Sequence, residues 1–328
     1  MKKIVISCGD PAGIGYEVVA KSILRFNPPD VQYLLFGERS VFEKLAGQFL
    51  WAQSFLNSLD SSEFQLISFD NAQDYPMGII DKRCGEIAYR SVVSAIKAAN
   101  GTDTIYKCDA IVTAPISKKA LHLARHKFDG HTGILSKMFA LPVTMMLFTR
   151  GFRVSLATTH IPLRKVPGSL TPELLAGHLD RTRNALVNWF GIEKPLIGVL
   201  ALNPHAGENG ILGDEESVIG EAIVSARIRG IDAEGPLVPD VAFLTKPRRR
   251  YDAYLAMYHD QGLIPLKTLG FRKGVNITLG LPVPRTSPDH GTAFDIAGKG
   301  IANPLSFIEA LKTAVKIVQR ASIPNSHK

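Results

Sequence analysis

Short runs of apolar residues alternate along the chain with stretches in which apolar positions recur every three to four residues. The short runs read as buried strands and the wider repeats as amphipathic helices. Strands are expected at Ile4–Cys8, Tyr33–Phe36, Phe64–Phe69, Ala110–Thr113, Thr144–Phe148, Val154–Ala157, Leu196–Leu202, Tyr254–Tyr258 and Val275–Leu279. Strands separated by helical patterns predict an α/β fold on a largely parallel sheet. Thr171-Pro172-Glu173 supplies an N-cap residue, a proline suited to the first helical position and an acid for the first turn. Ser306 and Glu309 match a capping box ahead of the stripe Ile308, Leu311, Val315 and Val318, which predicts a final amphipathic helix packed on a core. There is no internal repeat and no Ser/Gly-rich linker, so crossings between domains are expected in short loops.

Composition narrows this picture. With 328 residues, 45% of them hydrophobic and 21% charged, the chain can bury the cores of two domains without a disulfide or metal staple. No apolar stretch approaches the ~18–20 residues that span a bilayer. The run behind Met1-Lys2-Lys3 stops at Gly9-Asp10, short of a signal-peptide core, and a cytoplasmic protein is expected. Cys8, Cys84 and Cys108 form no C-x-x-C pair and read as free thiols. The net charge of +8 suits either a nucleic-acid surface or small anionic substrates. The one dense basic run, Lys246-Pro247-Arg248-Arg249-Arg250, has a single aromatic neighbour, Tyr251, and reads as a solvated loop. Without an aromatic-studded basic stripe no nucleic-acid partner is expected, and without a long apolar run no membrane partner.

Candidate chemistry collects behind the apolar runs. His160, His205 and His259 each follow a predicted strand, and in an open parallel sheet ligands bind outside the carboxyl ends of the strands. Three such histidines are compatible with one shared metal site suited to Zn²⁺, Ni²⁺ or Co²⁺, and equally with three separate hydrogen-bonding loop residues. His122, His126, His178 and His327 lie on helical or terminal stretches and read as surface residues. Gly9 to Gly15 is a glycine-bearing turn between a strand and a helix, where backbone N–H groups can meet an anion or simply turn the chain. Asp289 to Pro304 is a second glycine-rich loop ahead of a helix.

Taken in order, the stretches Gly9-Asp10-Pro11-Ala12-Gly13-Ile14-Gly15, Thr113-Ala114-Pro115-Ile116, Gly130-His131-Thr132, Thr158-Thr159-His160, Asn203-Pro204-His205-Ala206-Gly207-Glu208, Tyr258-His259-Asp260-Gln261-Gly262 and Gly274-Val275-Asn276-Ile277-Thr278-Leu279-Gly280 resemble the 4-hydroxythreonine-4-phosphate dehydrogenase family of pyridoxal phosphate biosynthesis. The resemblance covers about residues 3 to 320. The loop His290 to Pro304 also resembles the NAD-adenosine loop of isocitrate and isopropylmalate dehydrogenases. It implies their fold, two α/β/α domains with the active site in the cleft between them. Residues 1–128 and 262–328 would form a discontinuous domain with the NAD-binding loop, and 129–261 an inserted domain with metal ligands and dimer contacts.

By this resemblance His160, His205 and His259 match metal ligands, and Asp240 an acid near the metal of a neighbouring subunit, which implies a homodimer with shared sites. His131, Thr132, Lys267, Asn276 and Arg285 match substrate-binding positions. His290, Gly291, Ala293, Asp295 and Asn303 match cofactor-contacting positions. Asp295 near an adenosine ribose would favour NAD, with NADP the alternative. One divalent metal per site is implied, zinc first, with cobalt, magnesium or manganese as alternatives. The implied reaction is oxidation of 4-phosphohydroxy-L-threonine at C3 and decarboxylation to 3-amino-2-oxopropyl phosphate; the general base is not assigned. The family pattern is broken at Tyr16, where proline commonly stands, and at Gly133, where glutamate does. A dehydrogenase of a phosphorylated four-carbon sugar acid, 4-phosphoerythronate or threonate, is therefore the alternative, followed by an acyl-phosphate transferase of related fold.

Overall fold

The computed structural model describes residues 1–69, 74–103, 105–149, 151–270 and 273–320. Its elements run β1 (Lys2–Ser7), α1 (Gly15–Arg25), β2 (Val31–Phe36), α2 (Arg39–Ala46), α3 (Leu50–Ser58), β3 (Phe64–Ile67), α4 (Lys82–Asn100), β4 (Ala110–Thr113), α5 (Lys118–Leu123) and α6 (His131–Phe139). They continue with β5 (Thr144–Thr149), β6 (Phe152–Leu156), α7 (Pro172–Asn188), β7 (Ile197–Leu200), α8 (Glu216–Ile228) and β8 (Ala233–Leu237). The last are α9 (Pro239–Ala242), α10 (Thr245–Arg250), β9 (Ala253–Ala256), α11 (His259–Gly270), β10 (Val275–Leu279), β11 (Arg285–Pro288) and α12 (Leu305–Arg320).

Two compact units divide the chain: Met1–Pro142 with Leu281–Lys328, and Val143–Gly280. The first unit is thus discontinuous, and its crossings fall after 142 and 280 instead of after 128 and 261. Two contacts move them. Helix α6 packs on α4 and stays with the first unit. Strand β10 pairs antiparallel with β5, Val275 opposite Phe148, and carries 262–280 into the second.

In the first unit β3, β2, β1, β4 and β11 lie in that order, all parallel. The run Ile4-Val5-Ile6 is fully buried, as expected of a strand covered on both faces. Val5, Leu34, Phe36 and Ile111 share a cluster with Ala95 and Ala98 of α4. Alternate residues such as Ile4 and Ile6 point to the other face. The stripe expected on α12, Ile308, Leu311, Val315 and Val318, is buried. Ser306 falls inside the helix and not at its N-cap. The helix starts at Leu305, whose N–H is taken by Asn303 Oδ1 (3.0 Å), and the Ser306 hydroxyl accepts from Asp289 N instead (3.1 Å).

In the second unit the order is β10, β5, β6, β9, β7, β8. Strands β6, β9, β7 and β8 are parallel, while β5 runs antiparallel to both neighbours. Leu147, Val154, Leu156 and Ala256 pack with Leu263 and Leu266 of α11. Thr171 caps α7 as expected, accepting from Leu174 N (3.2 Å).

Two strands depart from the expected set. β8 reads Ala-Glu-Gly-Pro-Leu and β11 Arg-Thr-Ser-Pro, compositions that favour loops. Every residue of β11 is nevertheless buried. The basic run expected as a loop is the helix α10. His178, expected at the surface, is 6% exposed. Thr144 Oγ1 lies 2.7 Å from its Nδ1, and Arg181 Nε donates to the same hydroxyl (2.7 Å). Burial, and then Arg181, lower the His178 pKa to about 4, so the ring is neutral at pH 7. His126 is half-buried, stacked on Tyr89 and 2.7 Å from Glu86; His122 is exposed, and His327 lies outside the described residues. Among the described residues no helix is long and apolar enough to cross a membrane, and the three cysteines are free.

Candidate functional site

In the first unit, strand β1 ends in the turn Gly9–Gly15, which leads into α1. The turn is held by Asp10 N to Pro115 O, Gly13 N to Asp10 O and Ile14 N to Thr292 O, each 3.0 Å. A Cβ on Gly13 would stand 2.9 Å from Thr292 O, so the close approach of the two loops requires glycine. The loop after β11 is therefore docked on the turn after β1. A buried ion pair fixes its far end. Glu17 of α1 takes Lys21 Nζ (2.6 Å) and Ala302 N (2.8 Å), and Lys21 also reaches the Gly300 and Ala302 carbonyls (2.7 and 3.1 Å). This fixed loop carries the expected cofactor residues. Gly291, Asp295 and Asn303 are exposed, Ala293 has a left-handed backbone (φ 42°), and His290 is half-buried with Nδ1 3.1 Å from the Gly291 carbonyl. Burial lowers the His290 pKa.

The same unit brings two expected substrate residues together. Arg285, first residue of β11, is 2% exposed, and its guanidinium donates to Thr113 Oγ1 at the end of β4. Burial pulls its pKa down to about 9. His131, at the start of α6, has its pKa driven well below the usual histidine value by burial first and then by Arg285. Its Nε2 is shielded from solvent and has no partner among the described residues. Thr132 follows in the same first turn. Without the family resemblance Arg285 reads as a surface cation, because nothing in Arg-Thr-Ser-Pro signals a buried strand.

Asp10 is a further candidate that sequence reasoning misses. This side chain is fully buried; Oδ1 accepts from Ala12 N (2.9 Å) and Oδ2 has no partner among the described residues. Burial, against the opposing Ala12 and Ser117 amides and with help from Asp81, raises its pKa to about 6. A carboxyl that titrates near neutrality behind a strand end is a candidate proton carrier. The available signal is an acid directly after an apolar run.

The second unit holds the histidines. His160 follows β6 and His259 opens α11 after β9, and their rings stand 5.6 Å apart between centroids. Each of two imidazoles is backed by a carboxylate: His259 Nδ1 to Asp260 Oδ1 and His205 Nδ1 to Glu208 Oε1, both 2.6 Å. That is the carboxylate–histidine arrangement that orients an imidazole toward a metal with its other nitrogen. His205 opens a five-residue left-handed stretch, His205 to Asn209, with φ between 44° and 76°. The stretch is held from outside: Glu216 accepts from Leu202 N and Asn203 N, and Leu212 N reaches the Gly207 carbonyl. Such backbone persists where surrounding structure fixes it, and is common at binding sites. His205 has its pKa raised by the Glu208 bond, with Asp240 of α9 adding in the same direction, so Asp240 lies near the His205 of its own chain. Among the described residues no three His, Cys, Asp or Glu side chains stand in a ready metal-binding group, so the histidines are gathered in one unit without a closed cage. Lys267 lies on α11, eight residues after His259 and so about 12 Å along the helix. Asn276 lies on β10 opposite Leu147, its Oδ1 buried without a partner among the described residues.

One unit of this α/β chain holds a buried arginine and the other a pair of imidazoles behind strand ends, and comparison with known proteins makes it an oxidoreductase. The chain belongs to the family of the pyridoxal phosphate biosynthetic protein PdxA, which matches residues 30–314. It is 40% identical to a 4-hydroxythreonine-4-phosphate dehydrogenase of Sulfurihydrogenibium sp. (strain YO3AOP1), over 96% of this chain and 98% of the relative. It is 41% identical to a D-threonate 4-phosphate dehydrogenase of Cupriavidus necator, over 97% of each. The crystal structure of 4-hydroxythreonine-4-phosphate dehydrogenase from Klebsiella pneumoniae superposes with a TM-score of 0.83 at 35% identity, covering 97% of this chain and all of that one.

Proposed function

We propose that the protein oxidises 4-phosphohydroxy-L-threonine at C3 with NAD and releases CO₂ and 3-amino-2-oxopropyl phosphate, in the formation of pyridoxal 5'-phosphate in the cytoplasm. The observation that carries this reading is Arg285. Its guanidinium is buried at the start of β11 and anchored on Thr113, and its fork of donors has the geometry that a phosphate or carboxylate takes bidentately. Beside it His131 is neutral at pH 7 and offers Nε2 as a hydrogen-bond partner for a substrate oxygen. Thr132, Lys267 and Asn276 complete the substrate set by family resemblance.

A divalent metal and a nicotinamide cofactor, when bound, supply a polarised hydroxyl and a hydride acceptor. His160, His205 and His259 fit the metal chemically, because carboxylates orient two of them; zinc is preferred for an imidazole shell over cobalt, magnesium or manganese. Asp240 joins them from beside His205, or reaches the metal of a second subunit in a homodimer with shared sites. His290, Gly291, Ala293, Asp295 and Asn303 would hold the cofactor. The exposed Asp295 carboxylate suits ribose hydroxyls and disfavours the 2'-phosphate of NADP.

Gly133 favours a second reading. A Cβ there would meet nothing closer than Phe128 at 3.7 Å, so the position beside His131 and Thr132 has room for the glutamate common in the family but carries no charge. Without that carboxylate a substrate ammonium loses one pairing group, and D-threonate or D-erythronate 4-phosphate, which have a hydroxyl in its place, become the alternatives. The other departure, Tyr16, is 1% exposed, and its hydroxyl accepts from Glu38 N (2.8 Å) as part of the core. NADH formation by metal-reconstituted protein with the three substrates separates the readings. Signal with the aminated substrate supports the first, signal with a sugar acid alone supports the second, and signal with none removes both.

A further inference from the structure

The basic run of α10 has no part in the chemistry above, yet two of its arginines close a cavity. Arg248 and Arg249 line a pocket of about 400 Å³ with Arg153, Thr149, Tyr251, Asp252 and the end of α11 at Leu269. Arg250 points elsewhere, to Glu234 (2.5 Å). Arg153 is the fixed part of the pocket. Its guanidinium stacks on Phe190 and Phe148, 4.5 and 5.3 Å from the ring centroids, and Nη1 donates to the Asp252 carbonyl (3.1 Å). Arg153 Nε and Thr149 Oγ1 are buried, and among the described residues neither has a partner.

The charge in the pocket does not cancel. Among the described residues three guanidinium groups face one carboxylate, Asp252, whose Oδ2 already accepts from Leu196 N (2.9 Å). The carbonyl end of α11 adds roughly half a negative charge. An excess of about one to two positive charges is left in a concave, partly desolvated place.

The pocket stands apart from the histidines. It lies where β6 and β9 begin, at Phe152 and Ala253, and these strands run parallel. His160 and His259 follow the opposite ends, so the strand length alone separates the two places by roughly 15 Å.

We propose that this pocket is a second anion site, for a small phosphate-bearing molecule, held by Arg153 stacked in place and by Arg248 and Arg249 closing from α10. The ligand class follows from the fit: three forked cations, with an N–H and a hydroxyl that have no partner among the described residues, suit the several oxygens of a phosphate or diphosphate, and about 400 Å³ suits a small molecule.

Calorimetric titration of the full-length protein with inorganic pyrophosphate at low ionic strength tests this, with Arg248→Ser/Arg249→Ser and Lys267→Ala run beside wild type. Lys267 controls for an anion bound in the proposed active site. The expected result is binding that weakens by about tenfold or more in the double arginine variant, weakens with salt, and persists in Lys267→Ala. Binding lost in Lys267→Ala but kept in the arginine variant, or no binding by wild type, overturns the proposal. Arg249→Gln, at an exposed position, serves if the double variant does not fold, and weakened binding is again required. A crystal soaked in tungstate should show the oxyanion against Arg153; density elsewhere only overturns the assignment.

Discussion

Replacing Asp10 by asparagine should make the protein's stability less dependent on pH. Folding places the carboxyl where its pKa is about 6, against 3.8 for the unfolded chain. Between these values the folded state holds a proton that the unfolded state has released, so wild-type stability falls as pH rises through this window and is constant above it. The full penalty, at 1.36 kcal/mol per pKa unit, is about 3 kcal/mol at pH 8 and about 1.6 kcal/mol at pH 5. The substituted side chain cannot ionise, although it keeps an oxygen for Ala12 N. Its amide leaves one buried donor unsatisfied, but that cost is the same at both pH values and drops out of the comparison. The stability difference between variant and wild type, from urea unfolding, should therefore shift in favour of the variant by about 1.4 kcal/mol between pH 5 and pH 8. Titrating groups remote from Asp10 are shared by the two proteins and cancel, and Asp81, which adds to the Asp10 shift, keeps its own partner Arg83 in both. An unchanged difference across that range would show that Asp10 ionises normally and is not the buried proton carrier described here.

Four other outcomes are expected. His178 has its pKa lowered to about 4 by burial, so stability is lost as pH falls below the unfolded value; His178→Gln should remove about 2 kcal/mol of the decline between pH 7.5 and pH 5, measured by the same unfolding method. Glu17→Leu leaves the Lys21 ammonium without its carboxylate inside the first unit and should cost about 3–5 kcal/mol, while the double variant Glu17→Leu/Lys21→Met recovers part of that loss; equal losses would deny the pair its role in holding the 300–302 loop. His205→Ala should abolish NADH formation with an unchanged circular dichroism spectrum and melting temperature, and normal turnover removes His205 from the ligand set. Asp295→Asn should narrow the preference for NAD over NADP, read as the ratio of their kcat/KM values; an unchanged ratio takes Asp295 away from the ribose.

The sequence pattern conveys the frame because strands covered on both faces are apolar throughout. Ile4–Cys8 or Tyr254–Tyr258 could hardly be anything else. The same rule hides β11, whose polar Arg285, Thr286 and Ser287 are all buried, the first two hydrogen-bonded to Thr113 and Ala310. The polar residues divide along that line. His160, His205 and His259 are visible because they end apolar runs. Asp10, Glu17 and His178 are not, since their meaning depends on burial and on partners as distant in sequence as Ala302. The unit boundaries differ from expectation because pairing across a sheet, such as Val275 with Phe148, leaves no local mark.

The most direct test of the account is the yield of NADH and CO₂ from 4-phosphohydroxy-L-threonine, measured on protein stripped of metal by a chelator and again after zinc or cobalt is restored. The account predicts equal yields of the two products, absent from the stripped protein and recovered with metal. Turnover that survives stripping, or NADH without CO₂, would contradict it.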